Sequence, residues 1–159
     1  DKKVNEVTVS IFKKYKTAAD FASLSQNQLE KLVHSCGFYR NKAKNILAAC
    51  KIIQLKFKGI LPKTMAEILT LPGVARKTAN VVLGNAYGVV EGIAVDTHMI
   101  RLNQKLGFTK EFDPVKIEHD LMQIIPKKEW FSYTYRIINY GRNICPARHK
   151  KCECELYKI

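Results

Sequence analysis

Apolar residues recur at helical spacing along almost the whole chain. Ala43, Ile46, Leu47, Cys50, Ile53 and Phe57 share one face of a helix that Gly59 stops. Ser25-x-x-Gln28 is a capping box: the hydroxyl takes a backbone N–H of the first turn and the Gln side chain reaches back to the cap, so a helix starts there. Gly37 is its predicted end, after Cys36. Thr64-x-x-Glu67 opens a short helix that Pro72 closes. A further helix is expected from about Ala75 to Ala86, with Ala79, Val82 and Ala86 on one face. Asp96 caps a helix whose Met99, Leu102 and Leu106 lie on one side and which ends at Gly107. Asp113-Pro114 starts another, with Ile117, Leu121, Ile124 and Ile125 inward and Pro126 as the stop. The last long helix runs from about Lys128 to Arg142.

Val89–Val95 is the one strand-like stretch; it is interrupted by Gly92 and has no partner, so it is expected to be an extended connection. Roughly seven or eight helices with short loops predict an all-α protein. A soft boundary falls at Tyr87–Gly92, dividing the chain into expected lobes at 1–88 and 89–159.

Composition narrows the function classes. Hydrophobic residues make up 47% of the chain, enough for a core and too many for a disordered basic tail. No apolar run approaches the roughly 18 residues of a membrane-spanning helix. No signal or transit peptide opens the sequence, and the first residue is Asp1, so a fragment or processed chain is expected. The net charge is +13, which suits a polyanionic partner: DNA, RNA or an anionic membrane. Cys36 and Cys50 stand alone in helical patterns and are expected as buried thiols, whereas Cys145, Cys152 and Cys154 crowd the C-terminus. An odd total with a terminal cluster points to a metal site in a reducing compartment, not to a disulfide framework.

Three constellations carry chemistry. Leu71-Pro72-Gly73-Val74-Ala75-Arg76-Lys77-Thr78 reads as helix, tight turn, helix. Backbone N–H groups of such a hairpin, joined by the next helix's N-terminus, form an anion site fit for a phosphate. Gly73 allows close approach; the contact reads backbone and predicts binding without sequence preference. An ordinary αα-hairpin is the competing reading. Lys77 lies in a first helical turn beside Arg76, where macrodipole and neighbouring charge both favour the neutral, nucleophilic amine; position alone favours a phosphate-binding or solvated lysine. In Val95-Asp96-Thr97-His98, Asp96 is a cap whose fixed, ionised carboxylate can also stabilise a cation or take a proton, and His98 reads as structural.

With these motifs on the page the chain resembles the endonuclease III family of helix-hairpin-helix DNA glycosylases. The matching segments are Gly37–Ala43, Leu71–Leu83, Ala94–His98 and the Cys tail, together spanning essentially the whole sequence. The resemblance implies a bifunctional enzyme of two helical lobes, a barrel lobe bearing the hairpin and an iron–sulfur cluster lobe, with the cleft between them. Its glycosylase step removes an oxidised pyrimidine and its lyase step nicks the strand by β-elimination. It assigns Lys77 as the Schiff-base nucleophile at C1′ and Asp96 as the essential carboxylate. Gly73, Val74, Ala75 and Arg76 become the phosphate contact, and Phe38 a wedge beside the extruded base. A core aromatic is the alternative reading of Phe38. Related adenine glycosylases lack the hairpin lysine.

The tail reads Cys145-x6-Cys152-x1-Cys154, against a family pattern of Cys-x6-Cys-x2-Cys-x5-Cys. The middle spacing is one residue short, and a fourth Cys is expected directly after Ile159. Four thiolates would hold a [4Fe–4S] cluster; three with His149 would instead bind Zn. Arg148, Lys150 and Lys151 in the same loop suit a second phosphate contact. The family's N-terminal helices are missing before Asp1, and Ala75 replaces the second Gly of the commonest hairpin. The expected partner is double-stranded DNA carrying a damaged pyrimidine or abasic site, with no membrane and a monomeric protein. The expected location is the cytoplasm of a bacterium or archaeon, with nucleus and organelle left open. Two other classes stay open: a non-catalytic DNA-binding fragment and a Zn-binding structural protein.

Overall fold

The computed structural model describes residues 2–148, and these are helical throughout, with no strand among them. The elements are α1 (Lys2–Lys14), α2 (Ala18–Ala22), α3 (Gln26–Val33), α4 (Tyr39–Phe57), α5 (Met65–Ile68), α6 (Arg76–Tyr87), α7 (Thr97–Lys105), α8 (Pro114–Ile124), a 3-10 turn at Lys127–Glu129, and α9 (Trp130–Asn143). Local chemistry sets most starts. Ser25 and Gln28 make both bonds of the capping box, Asp96 accepts from Met99 N, and Asp113 caps α8 with Pro114 in its first turn. At Thr64 the hydroxyl accepts from Glu67 N as expected, but also donates to the Glu67 carboxylate at 2.8 Å. α4 ends where Lys58 and Gly59 both turn left-handed.

Two helices precede the first one read from the sequence. α2 is only five residues long. Thr17 and Asp20 do form a complete capping box. With Asp, not Glu or Gln, at the third position, it escaped the sequence pattern. α3 is also shorter than expected, ending at Val33 before a turn that reaches Gly37.

The chain divides into two compact units, Asp1–Ala75 and Arg76–Ile159. The division falls between the glycine turn and α6, whereas the sequence suggested the loop at Tyr87–Gly92. α6 is held in the second unit by Arg76 and Asn80, which both bond Glu118, and by Phe131, whose ring lies where a side chain on Gly84 would go. In the first unit α4 packs against α2 and α3 around Ile11, Leu24, Leu29, Val33 and Ala43. In the second, α7 packs against α9 around Ile93, Val95, Met99, Leu102, Ile117, Leu121 and Ile137. Two helical faces differ from expectation. Ile124 on α8 is 51% exposed, not inward. The buried face of α6 is Ala79, Asn80 and Leu83, with Ala86 exposed, because Asn80 turns in to meet a buried carboxylate.

Candidate catalytic and DNA-binding residues

The first unit carries the glycine turn. Gly73 has φ +77°, and a Cβ there would come within 2.7 to 2.9 Å of Nδ2, Cβ and Cγ of Asn45 on α4. Backbone conformation and space therefore both demand glycine. Val74 N–H closes the turn on Leu71 O at 3.1 Å, so it is used internally. Lys42, Asn45, Ile46, Ala49, Pro72, Gly73 and Val74 line a groove of about 270 Å³ between α4 and the turn.

Phe38 is the other conspicuous residue of this unit. It is 90% exposed and left-handed at φ 58°, directly before α4. A bulky aromatic in that conformation is a backbone outlier, and its ring does not pack in the core. The alternative of a core aromatic is thereby corrected. Of the two isolated cysteines Cys36 is buried and Cys50 half-buried; burial pushes the Cys50 thiol up from its ordinary range.

The second unit carries the candidate catalytic pair. Lys77 is the second residue of α6 and exposed. Arg76 before it is 35% exposed along its side chain, and its Nε donates to Glu118 at 2.6 Å. The positive charge beside Lys77 is thus compensated, which the sequence did not reveal. Asp96 ends the extended segment from Gly92 and caps α7, its Oδ1 accepting from Met99 N at 2.8 Å. That bond fixes the carboxylate's orientation with the side chain still part-exposed. Thr134 Oγ1 donates to Ala94 O at 3.2 Å and pins the segment from the α9 side. His98 Nδ1 is buried without a hydrogen-bond partner, against Gly141.

Glu118 went unnoticed in the sequence because Glu-His-Asp on an amphipathic helix looks like a solvated face. It is only 4% exposed, and holds Arg76 Nε and Asn80 Nδ2, the latter at 2.9 Å. Asn80 Oδ1 is left buried without a partner. Two residues some forty positions away bring this carboxylate inside, and only the tertiary fold shows that.

Of the three cysteines named as ligands, Cys145 alone belongs to the described residues; Cys152 and Cys154 lie outside them, as do His149, Lys150 and Lys151. Cys145 is 1% exposed. Arg101 donates to it twice, to Sγ at 3.4 Å and to the carbonyl at 2.5 Å. Among the described residues no three ligating side chains gather. Arg148 is exposed. No helix among them is long and apolar enough to cross a membrane.

Residues 1–127 match the family described as HhH-GPD superfamily base excision DNA repair protein. The chain is 51% identical to endonuclease III of Synechocystis sp. over 157 residues, 98% of this chain and 72% of that protein. It is 42% identical to endonuclease III of Bacillus subtilis over 161 residues, 100% of this chain and 73% of that protein. Among solved structures, a trapped endonuclease III–DNA covalent intermediate superposes with TM-score 0.92 at 43% identity, over 98% of this chain and 73% of that one. A thermostable thymine-DNA glycosylase, at 20% identity and TM-score 0.84 over 98% of this chain and 73% of that one, shares the fold. The chain belongs to the HhH-GPD superfamily of base excision DNA repair proteins. Within it the chain is an endonuclease III homologue, a DNA glycosylase with AP lyase chemistry.

Proposed function

We propose that this protein removes oxidised pyrimidines from duplex DNA and cleaves the resulting abasic strand through Lys77. The observation that carries the reading is that one compact unit holds both an exposed lysine in the first turn of α6 and a carboxylate fixed by its cap at the start of α7. In this reading the Lys77 amine adds to C1′ of the damaged nucleoside. The C1′–N bond breaks and the base leaves with a proton; the C1′–O4′ bond then opens, O4′ takes the proton that the lysine nitrogen gives up, and an iminium forms. Loss of a C2′ proton then breaks the C3′–O bond, and water later releases the lysine. Asp96 stabilises positive character on the sugar and relays protons.

Binding follows the turn. Backbone donors at Gly73 and Ala75 meet a phosphate. Val74 contributes through the turn it closes. Arg76, held by Glu118 through Nε, keeps its terminal N–H groups for the backbone. Phe38 fills the space beside the extruded nucleotide. Arg148, Lys150 and Lys151 add a second basic contact. The protein acts as a monomer on double-stranded DNA in the cytoplasm.

The family's [4Fe–4S] cluster fits what the described residues offer, a buried Cys145 thiol facing a guanidinium. Cys145, Cys152 and Cys154 would hold it. When bound it supplies folding energy to the C-terminal region. Cys145→Ala is expected to bleach visible absorption; a colourless parent protein containing zinc would replace the cluster reading.

Borohydride trapping on an abasic duplex tests the central assignment. Reduction of the iminium gives a stable protein–DNA adduct. Lys77→Gln is expected to abolish it while DNA affinity changes by no more than a few-fold. Trapping at the parental level would make another amine the nucleophile. Affinity itself should fall with salt at a log–log slope of about −3 to −5 if three to five phosphates are neutralised.

A further inference from the structure

One carboxylate joins the two segments that carry Lys77 and Asp96. Arg76 and Asn80 are one helical turn apart, so they share a face of α6. Both donate to Glu118 on α8, at 2.6 and 2.9 Å. Lys77, one residue further on, lies about 100° round the helix and is exposed. The same carboxylate also meets the segment leading to Asp96. A Cβ on Gly92 would stand 1.9 Å from Glu118 Oε1 and 3.1 Å from Asn80 Nδ2. Gly92 φ lies outside the left-handed region, so glycine is required there for space alone. The backbone of the Asp96 segment rests directly on the clasp.

We infer that Glu118 is a positioning residue for the lyase reaction, setting the first turn of α6 against the Gly92–Asp96 segment so that Lys77 and Asp96 act on one sugar. The inference rests on the reading of Lys77 as nucleophile. Three features separate it from ordinary packing. The carboxylate is buried, and apolar residues of the same volume would fill the site without directional bonds. It binds α6 at the residue next to Lys77 and at one further turn, which fixes rotation of the helix as well as its distance. The Asn80 amide is committed: with Nδ2 on the carboxylate, its oxygen stays buried and unpartnered, so the orientation of this group is set by Glu118 alone. Misplacement of a reacting group by about 1 Å reduces rates by as much as 10².

The test compares Glu118→Gln, Gly92→Ala and Asn80→Ala with Leu121→Ala, a core truncation three residues further along α8. Each variant is assayed for melting temperature, affinity for an abasic-analogue duplex, and single-turnover borohydride trapping at a temperature where it is folded. The three clasp variants are expected to trap about tenfold or more slowly at saturating enzyme, with affinity for the abasic-analogue duplex within a few-fold, so that the loss lies in the chemical step and not in binding. Leu121→Ala is expected to trap within about twofold of the parent despite an equal or larger drop in melting temperature. Should Glu118→Gln not fold, the other two carry the same comparison. Parental trapping rates in Gly92→Ala and Asn80→Ala, or an equal slowing in Leu121→Ala, overturn the inference. Lys77→Gln separates the two readings. If it still traps, the nucleophile assignment fails and this inference with it. If it does not trap and the clasp variants trap normally, the inference alone fails.

Discussion

The two compact units bury different kinds of side chain. Among the described residues the buried polar and charged ones are Asn80, Asn103, Thr109, Glu118 and Thr134, and all five belong to the second unit. The first unit's polar chemistry stays at its surface, in the caps of α2, α3 and α5. Apolar packing is non-directional and tolerates small shifts of its members. Buried hydrogen bonds are directional, and leaving one unmade is expensive. The first unit presents a glycine turn and an exposed Phe38. In the proposed reading the second unit holds Lys77 and Asp96 in register, and the bonds at Glu118 fix angles as well as distances.

The largest test of this contrast is at Asp96. Asp96→Asn keeps a good helix cap, so stability should hold while the chemical step slows by on the order of 10² to 10⁴. Asp96→Ala should lose the same rate and, in addition, about 1 kcal/mol of stability. Single-turnover kinetics with denaturant melts separate the two losses. Equal stability losses in both variants would mean that the carboxylate's charge, not its cap, supports the fold.

A second comparison sets the cores against each other. Leu29→Met in the first unit should cost less than about 1.5 kcal/mol. Asn103→Leu in the second should cost about 1–3 kcal/mol, because Asn103 bonds Met99 O and the Tyr133 hydroxyl. Urea midpoints check both, and equal costs would erase the distinction between the units.

Gly73→Ala should cost about 1–2 kcal/mol from the left-handed backbone alone, with more from the Asn45 contact, and should weaken DNA binding. The melting curve and a filter-binding titration report these separately. Phe38→Gly should work in the opposite sense. Stability should hold or rise by up to about 1 kcal/mol as the left-handed strain is relieved, while base excision slows. A clear loss of stability would show that the Phe38 ring packs.

The smallest effect is electrostatic and confined to the first unit. Backbone hydrogen bonds from Thr17 and Lys16 lower the Asp20 carboxyl from its ordinary 3.8. A depressed folded value contributes stability that is present above the unfolded value and lost as pH falls through the folded one. Asp20→Asn should therefore flatten the pH dependence of stability below about pH 4 and leave it unchanged near neutrality. An unaltered acid limb would show that the α2 capping box does not contribute through its charge.

Much of this was legible in the chain itself. Caps are local chemistry, so Ser25, Thr64, Asp96 and Asp113 announced their helices correctly. Gly73 and Lys77 were conspicuous because a glycine turn and a first-turn lysine are unusual at short range. Phe38 was ambiguous in sequence, since an aromatic after a helix end fits a core or a surface equally well; its exposure decides between them. α2 was missed because it is only five residues long and its capping box carries Asp where Glu or Gln is the usual signal. The inner face of α6 was misplaced because Asn80 counts as polar until its partner is known.

The sequence by itself determined the all-helical class, the order of most helices, and the residue types available for nucleophile, carboxylate and turn, because caps, periodicity and glycine geometry act over a few residues. Only the tertiary structure decided that Glu118 is buried, that it compensates Arg76, and that Gly92 must lack a side chain to rest on it. Those facts depend on contacts between residues some forty positions apart. The energy of a buried charge is set by what surrounds it in space, and no local pattern records that.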